Sequence, residues 1–114
     1  MKELKAFVRI GCVDAVIEAL EGAGAPGITV VRVHGVGYGY DPSLFTLAPS
    51  ELRMAPEVAK LEVVCRDEVV DELLTAILKT AHTGISGDGI VFVTPVERAV
   101  KIRTGEEYPE ALKP

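Results

Sequence analysis

Apolar and polar residues alternate from Lys2 to Ile10, with Leu4, Ala6, Val8 and Ile10 on one side. Glu3, Lys5 and Arg9 share the other side with Phe7. A period of two over this length predicts a β-strand with one core face and one wet or interface-facing side. The period then changes. Val13, Val16, Ile17 and Leu20 recur at the spacing of one helical face. Gly22, Gly24, Pro26 and Gly27 stop that helix, and the β-branched run from Ile28 to Val33 predicts a second strand.

From Gly35 to about Pro56 no period is sustained, and a patternless stretch of this length inside a domain is usually functional or disordered. It holds Tyr38, Tyr40 and Phe45, half of the six aromatic residues in the chain. A flexible linker is aromatic-poor, so these rings predict a loop that docks against a partner or the protein's own surface. Alternation returns at Ala59–Cys65 as a third strand. Asp67 is placed to cap the next helix, whose apolar stripe runs through Val70, Leu73, Leu74, Ile77, Leu78 and Ala81. The glycine-rich segment 83–89 breaks it, Ile90–Val93 reads as a fourth strand, and a short strand is expected around Val100–Arg103 before a polar tail.

The resulting order is β-α-β, long loop, β-α-β. It predicts an α+β, ferredoxin-like sandwich with both helices on one face of an antiparallel sheet. Strands 28–33 and 61–65 are apolar on both sides, so the other face needs a cover, and self-association is the simplest one.

Composition narrows the function. The 114 residues carry a net charge of -5 without a Lys/Arg cluster, which argues against nucleic-acid binding. No apolar run approaches the roughly 20 residues that span a bilayer, and no signal peptide is visible, so a cytoplasmic location is expected. Cys12 and Cys65 are too few and too far apart for a disulfide framework, and Cys65 is expected to be a buried small hydrophobe. His34 and His82 add no metal-motif spacing, and no metal site is expected. Asp88, Glu62 and His82 are the only acid–base candidates, and they form no visible constellation, so no enzyme activity is expected. Asp88, between Gly87 and Gly89, suits the fixing of a turn.

Several segments together resemble the PII signalling proteins. They are Thr83-Gly84, Gly87-Asp88-Gly89, Val91-Phe92-Val93, Pro95-Val96 and Ile102-Arg103-Thr104-Gly105-Glu106. Ala25-Pro26-Gly27-Ile28-Thr29-Val30 with Val33, Gly35 and Gly37 continues the likeness into the first half, so that it covers residues 1–106 and leaves 107–114 as a tail. The resemblance implies a ferredoxin-like homotrimer that holds an adenine nucleotide in clefts between subunits. It further implies control of a membrane transporter or cytosolic enzyme through a T-loop, here residues 37–55. By the same likeness the nucleotide site comprises Thr29, Gly35, Val36, Gly37, Glu62, Val64, Gly87, Asp88, Gly89, Lys101 and Arg103, the last two from a neighbouring chain. The partner-binding loop residues are Tyr38, Tyr40, Phe45 and Leu47.

Departures from the family's usual residues sharpen the expectation. Ile90 and Tyr38 stand where relatives usually carry a cation, and Lys101 replaces an arginine fork with a point charge. Charge-assisted hydrogen bonds contribute ~1.5–3 kcal/mol each, so a ligand with fewer phosphates, ADP or AMP ahead of ATP, is expected. Gly39 and Val58 replace the residues that hold 2-oxoglutarate, which is not expected to bind in the usual way. Glu51 and Pro49 occupy the positions that relatives modify, and Leu47 that of an arginine which plugs ammonium channels. The tract 35–49 resembles a divergent subgroup that accompanies cation efflux pumps. Two alternatives stay open: an interaction module without ligand, and a binder of another small anion, such as bicarbonate, or of a metal, linked to such a pump.

Overall fold

The computed structural model describes residues 1–36 and 57–114. The first alternating segment forms β1 (Lys2–Arg9), and a 3-10 turn at Ile10–Cys12 leads into α1 (Val13–Gly22). There follow β2 (Thr29–His34), β3 (Glu57–Cys65), a 3-10 turn at Asp67–Val69, α2 (Val70–Ala81) and β4 (Gly89–Pro95). The strands form one antiparallel sheet in the order β2-β3-β1-β4. This is the predicted α+β, ferredoxin-like plan.

Period two dictates which residues reach the core. Leu4, Ala6 and Val8 of β1 and Ala59, Leu61, Val63 and Cys65 of β3 are buried against Val16 and Leu20 of α1 and Leu73, Ile77 and Ala81 of α2. Burial pushes the Cys65 thiol above its ordinary pKa, as suits a small hydrophobe rather than a reactive group. The pleat sends Lys5, Phe7 and Arg9 to the opposite face, level with Glu62, Lys60 and Val58 of β3. There Phe7 meets Phe92 edge to face, with ring centroids 6.2 Å apart. Phe92, Ile90 and Val31 are exposed on this side.

Three expectations need correction. Asp67 does not cap a helix with its side chain; its carboxylate lies 2.7 Å from the Met1 ammonium, a charged partner that outcompetes a neutral amide. Leu78 belongs to the periodic stripe yet is 57% exposed, because it lies at the margin of the helix face that the sheet covers. The strand expected at Val100–Arg103 reduces to an isolated bridge, Val100 with Glu107, closing a turn in which Ile102 is fully exposed. The interval between β2 and β3, with Tyr38, Tyr40, Phe45 and Leu47, lies outside the described residues from position 37 to 56.

Candidate functional site

The residues expected to bind nucleotide fall into two groups, at opposite ends of the sheet. The first group surrounds the loop between α2 and β4. A helix that ends at Ala81 leaves its chain heading back toward the sheet, and the loop must reverse within a few residues. Gly84, Gly87 and Gly89 adopt φ of 84°, 102° and 107° there. Gly89 has a second reason to lack a side chain: a Cβ would stand 1.8 Å from the Phe7 carbonyl oxygen on the neighbouring strand.

Asp88 is the hub of this loop. Its Oδ2 accepts from the Thr83 amide at 2.8 Å and the Gly84 amide at 2.9 Å, and its Oδ1 accepts from the Thr83 hydroxyl. The same oxygen receives Arg9 Nε at 3.4 Å from the end of β1. Arg9 also donates through Nη2 to the carbonyls of Ser86 at 2.9 Å and Ile85 at 3.3 Å. One guanidinium thus clasps the loop at three points, as a five-donor fork allows and an ammonium would not. Asp88 therefore acts as a structural anion within its own loop, as its place between two glycines suggested. Gly35 and Val36 leave β2 at this same end, since His34 pairs with Glu57 one step beyond the Val58–Arg9 level.

These donors, the Thr83 hydroxyl first, hold the Asp88 carboxyl well below its ordinary value of 3.8. A depressed folded-state pKa means stabilisation that is present above the unfolded value and lost as pH falls through the folded one. The loop is therefore expected to keep its geometry at pH 4–5, where ordinary carboxylates are half protonated. Amide exchange at Thr83 and Gly84 should be as slow, after correction for intrinsic rates, at pH 4.5 as at pH 7. In Asp88→Asn, with one acceptor oxygen in place of two, both amides should exchange faster; an unchanged pattern would remove Asp88 from its place as the hub.

The second group lies at the other end. Thr29 of β2 and Glu62 of β3 are directly paired, and Val64 follows on the same face. They line a recess of about 370 Å³ together with Glu3, Pro26, Gly27 and the tail residues Ala111–Pro114. Gly89 is level with Val8, Ala59 and Arg32, so Thr29 lies three strands across the sheet and three positions along it, about 17 Å at the usual strand spacing and rise, and this wall and the glycine loop are far apart in one protomer.

Lys101 and Arg103 sit in the turn closed by the Val100–Glu107 bridge, where the Lys101 amide donates to Glu106 at 2.8 Å and the Gly105 amide to Lys101 at 2.7 Å. Lys101 Nζ donates to the Lys113 carbonyl at 2.7 Å, which ties this turn to the recess. Arg103 is exposed. Gly37 lies outside the described residues.

Two participants escaped the sequence reading. Arg9 looked like any polar residue on the wet side of a strand, and its partners are 76–79 positions away. The tail carries no periodicity, yet it folds into a 3-10 turn at Glu110–Leu112 and forms part of the recess. Among the described residues no group of three His, Cys, Asp or Glu side chains is placed to hold a metal ion.

Comparison with known proteins supplies the remaining evidence. The sequence profile of the family described as Nitrogen regulatory protein P-II matches residues 1–106. The chain is 42% identical over 113 residues to a Nitrogen regulatory protein P-II of Haemophilus influenzae, covering 98% of this chain and 100% of that protein. It shows the same identity and coverage with a P-II protein of Azospirillum brasilense. Nitrogen regulatory protein P-II 1 of Escherichia coli K12 is 39% identical, again over 98% of this chain and the whole relative. With the strand order, the clasped glycine loop and this end-to-end similarity in agreement, the chain belongs to the nitrogen regulatory protein P-II family.

Proposed function

We propose that this P-II family chain binds an adenine nucleotide, ADP or AMP ahead of ATP, in a cleft that a second copy of the chain completes. It acts as a regulator rather than an enzyme, and reports occupancy to a transporter or enzyme through residues 37–55. The observation that carries the reading is the separation of two half-sites. The glycine loop at Gly87–Gly89 offers backbone that an anion can approach closely, while Thr29, Glu62 and Val64 offer a part-apolar wall suited to a base. Since Thr29 on β2 lies three strands across the sheet and three positions along it from Gly89, about 17 Å in all, one small ligand touches both only when two chains meet. The exposed Phe92, Ile90 and Val31 on the uncovered sheet face favour such an assembly, a homotrimer by the family's habit.

The preference for fewer phosphates follows from the cations. Ile90, the second residue of β4, lies beside the glycine loop and offers no charge, and Lys101 offers one point charge. Calorimetric titration with ATP, ADP and AMP, with and without Mg²⁺, is the direct test. ADP or AMP should bind more tightly than ATP, and Lys101→Ala should weaken ADP by roughly 10- to 150-fold, the equivalent of one charge-assisted hydrogen bond. Addition of 2-oxoglutarate to the Mg-ATP mixture should release no further heat. Failure of all three nucleotides to bind would sink the reading and favour the second one, an interaction module without ligand, for which the apolar Ile90 and Val58 speak.

A further inference from the structure

Arg9 differs from the other cations near the candidate site in directing its donors at the glycine loop itself. Its Nε donates to Asp88 Oδ1 at 3.4 Å, and its Nη2 to the carbonyls of Ser86 at 2.9 Å and Ile85 at 3.3 Å. The Arg9 side chain is 38% exposed and that of Asp88 25%. A part-exposed ion pair contributes little to global stability, so the clasp calls for another explanation.

The planar trans peptide supplies one. Across it, a carbonyl and the amide of the next residue point in opposite directions. The peptides after Ile85 and Ser86 are trans. With both carbonyls drawn to the guanidinium, the amides of Ser86 and Gly87 face away from it. Gly87, at φ of 102°, bends the chain there, and successive amides at such a bend form an anion-binding concavity. Among the described residues the Gly87 amide has no acceptor. The amides of Thr83, Gly84 and Ile85, by contrast, are taken by Asp88 and the Thr83 hydroxyl. The Asp88 carboxylate would repel an anion at this spot. Its oxygens are committed to Thr83, Gly84 and Arg9, and the Arg9 charge offsets its own.

We infer that Arg9 is a positioning residue for the proposed nucleotide site, turning the Ser86 and Gly87 amides outward as a cradle for a phosphate oxygen and offsetting the charge of Asp88. The inference rests on the nucleotide reading above and adds a residue that acts without touching the ligand. Backbone amides oriented in this way do part of what a side-chain cation at Ile90 would do.

The size of the effect follows from the fraction of molecules whose loop is in the binding arrangement. If loss of the clasp lowers that fraction to about one-tenth, the apparent dissociation constant rises about tenfold. The test titrates ADP into the full chain, Arg9→Met and Arg9→Lys, and measures amide exchange with and without saturating ADP. Arg9→Met, which has no donor, should bind ADP about 10-fold more weakly or worse. Arg9→Lys keeps the charge without the fork and should fall between the two. ADP should slow exchange at Ser86 and Gly87 in the full chain and less so in Arg9→Met. Without ADP, Leu61 and Val63 in the core should exchange alike in both. If Arg9→Met is unfolded at the assay temperature, the comparison of Arg9→Lys with the full chain decides alone. Equal ADP affinity in variant and full chain, or ADP bound without slowing of Ser86 and Gly87, overturns the positioning role and leaves the nucleotide reading standing. Weaker ADP binding with faster exchange at Leu61 and Val63 makes Arg9 a support of the whole fold, and overturns that role too. Absence of ADP binding to the full chain overturns the nucleotide reading and this inference together.

Discussion

Gly89→Ala is expected to lower the unfolding free energy by about 3 kcal/mol or more, from two costs that a control can separate. The first is conformational. At φ of 107° a residue with a Cβ is strained, typically by about 1–2 kcal/mol. Gly24, at φ of 90°, carries this cost alone, because a Cβ there would meet nothing within 4 Å. The second is steric. At Gly89 the Cβ would lie 1.8 Å from the Phe7 carbonyl oxygen and 2.9 Å from its carbon, both backbone atoms that no rotamer change can move. Relief requires β4 to shift against β1 where Gly89 pairs with Val8, and Asp88 and the loop that Arg9 clasps shift with it. Chemical denaturation of Gly24→Ala and Gly89→Ala at matched protein concentration measures the difference, with concentration held fixed because assembly would alter apparent stability. If the two variants lose the same amount, the close approach at Gly89 carries no weight.

The second large effect concerns the helix that carries the glycine loop. Leu73→Ala should cost about 2–5 kcal/mol, the range for deleting a buried leucine side chain where the surroundings cannot collapse. Leu73 has no exposed surface and packs in the cluster that joins α2 to α1 and the central strands. Leu78, on the same periodic stripe, is 57% exposed, and Leu78→Ala should stay within about 0.5 kcal/mol of the parent. Urea midpoints of the two variants compare them directly. Equal losses would mean that the exposed edge of α2 is covered in solution, and would point to an assembly contact at Leu78.

That contrast shows what a sequence can disclose. A stripe of period 3.6 identifies α2 and its inward direction, but the width of the sheet beneath it decides whether Leu78 is covered. Likewise, alternation in β1 and β3 placed Leu4, Ala6, Val8, Leu61 and Val63 in the core, because a period of two leaves only two faces to choose from. The family likeness named Gly87, Asp88 and Gly89, which the structure brings together in the loop that Arg9 clasps. It did not disclose that Thr29, Glu62 and Val64 share a recess with the tail, because a 3-10 turn of one winding has no period to detect. Arg9 was illegible for a different reason. A cation on the wet side of a strand usually meets water, and only the closing of β4 beside β1 brings Asp88 within its reach.

The position of β1 in the sheet also governs when this protein can fold. It is the first strand made and lies between β3 and β4, with Lys2 paired to Cys65 and Pro95 and Arg9 to Val58. Neither partner exists until β3 begins at Glu57 and β4 at Gly89, so the ladder that holds the core together is built from long-range pairings that close slowly. Until Pro95 has left the ribosome, one edge of β1 lacks its neighbour, and the nascent chain is exposed to strand exchange with other chains. The Arg9 clasp on the loop before β4 can form only after that strand has docked, so the candidate site is among the last parts of the domain to exist.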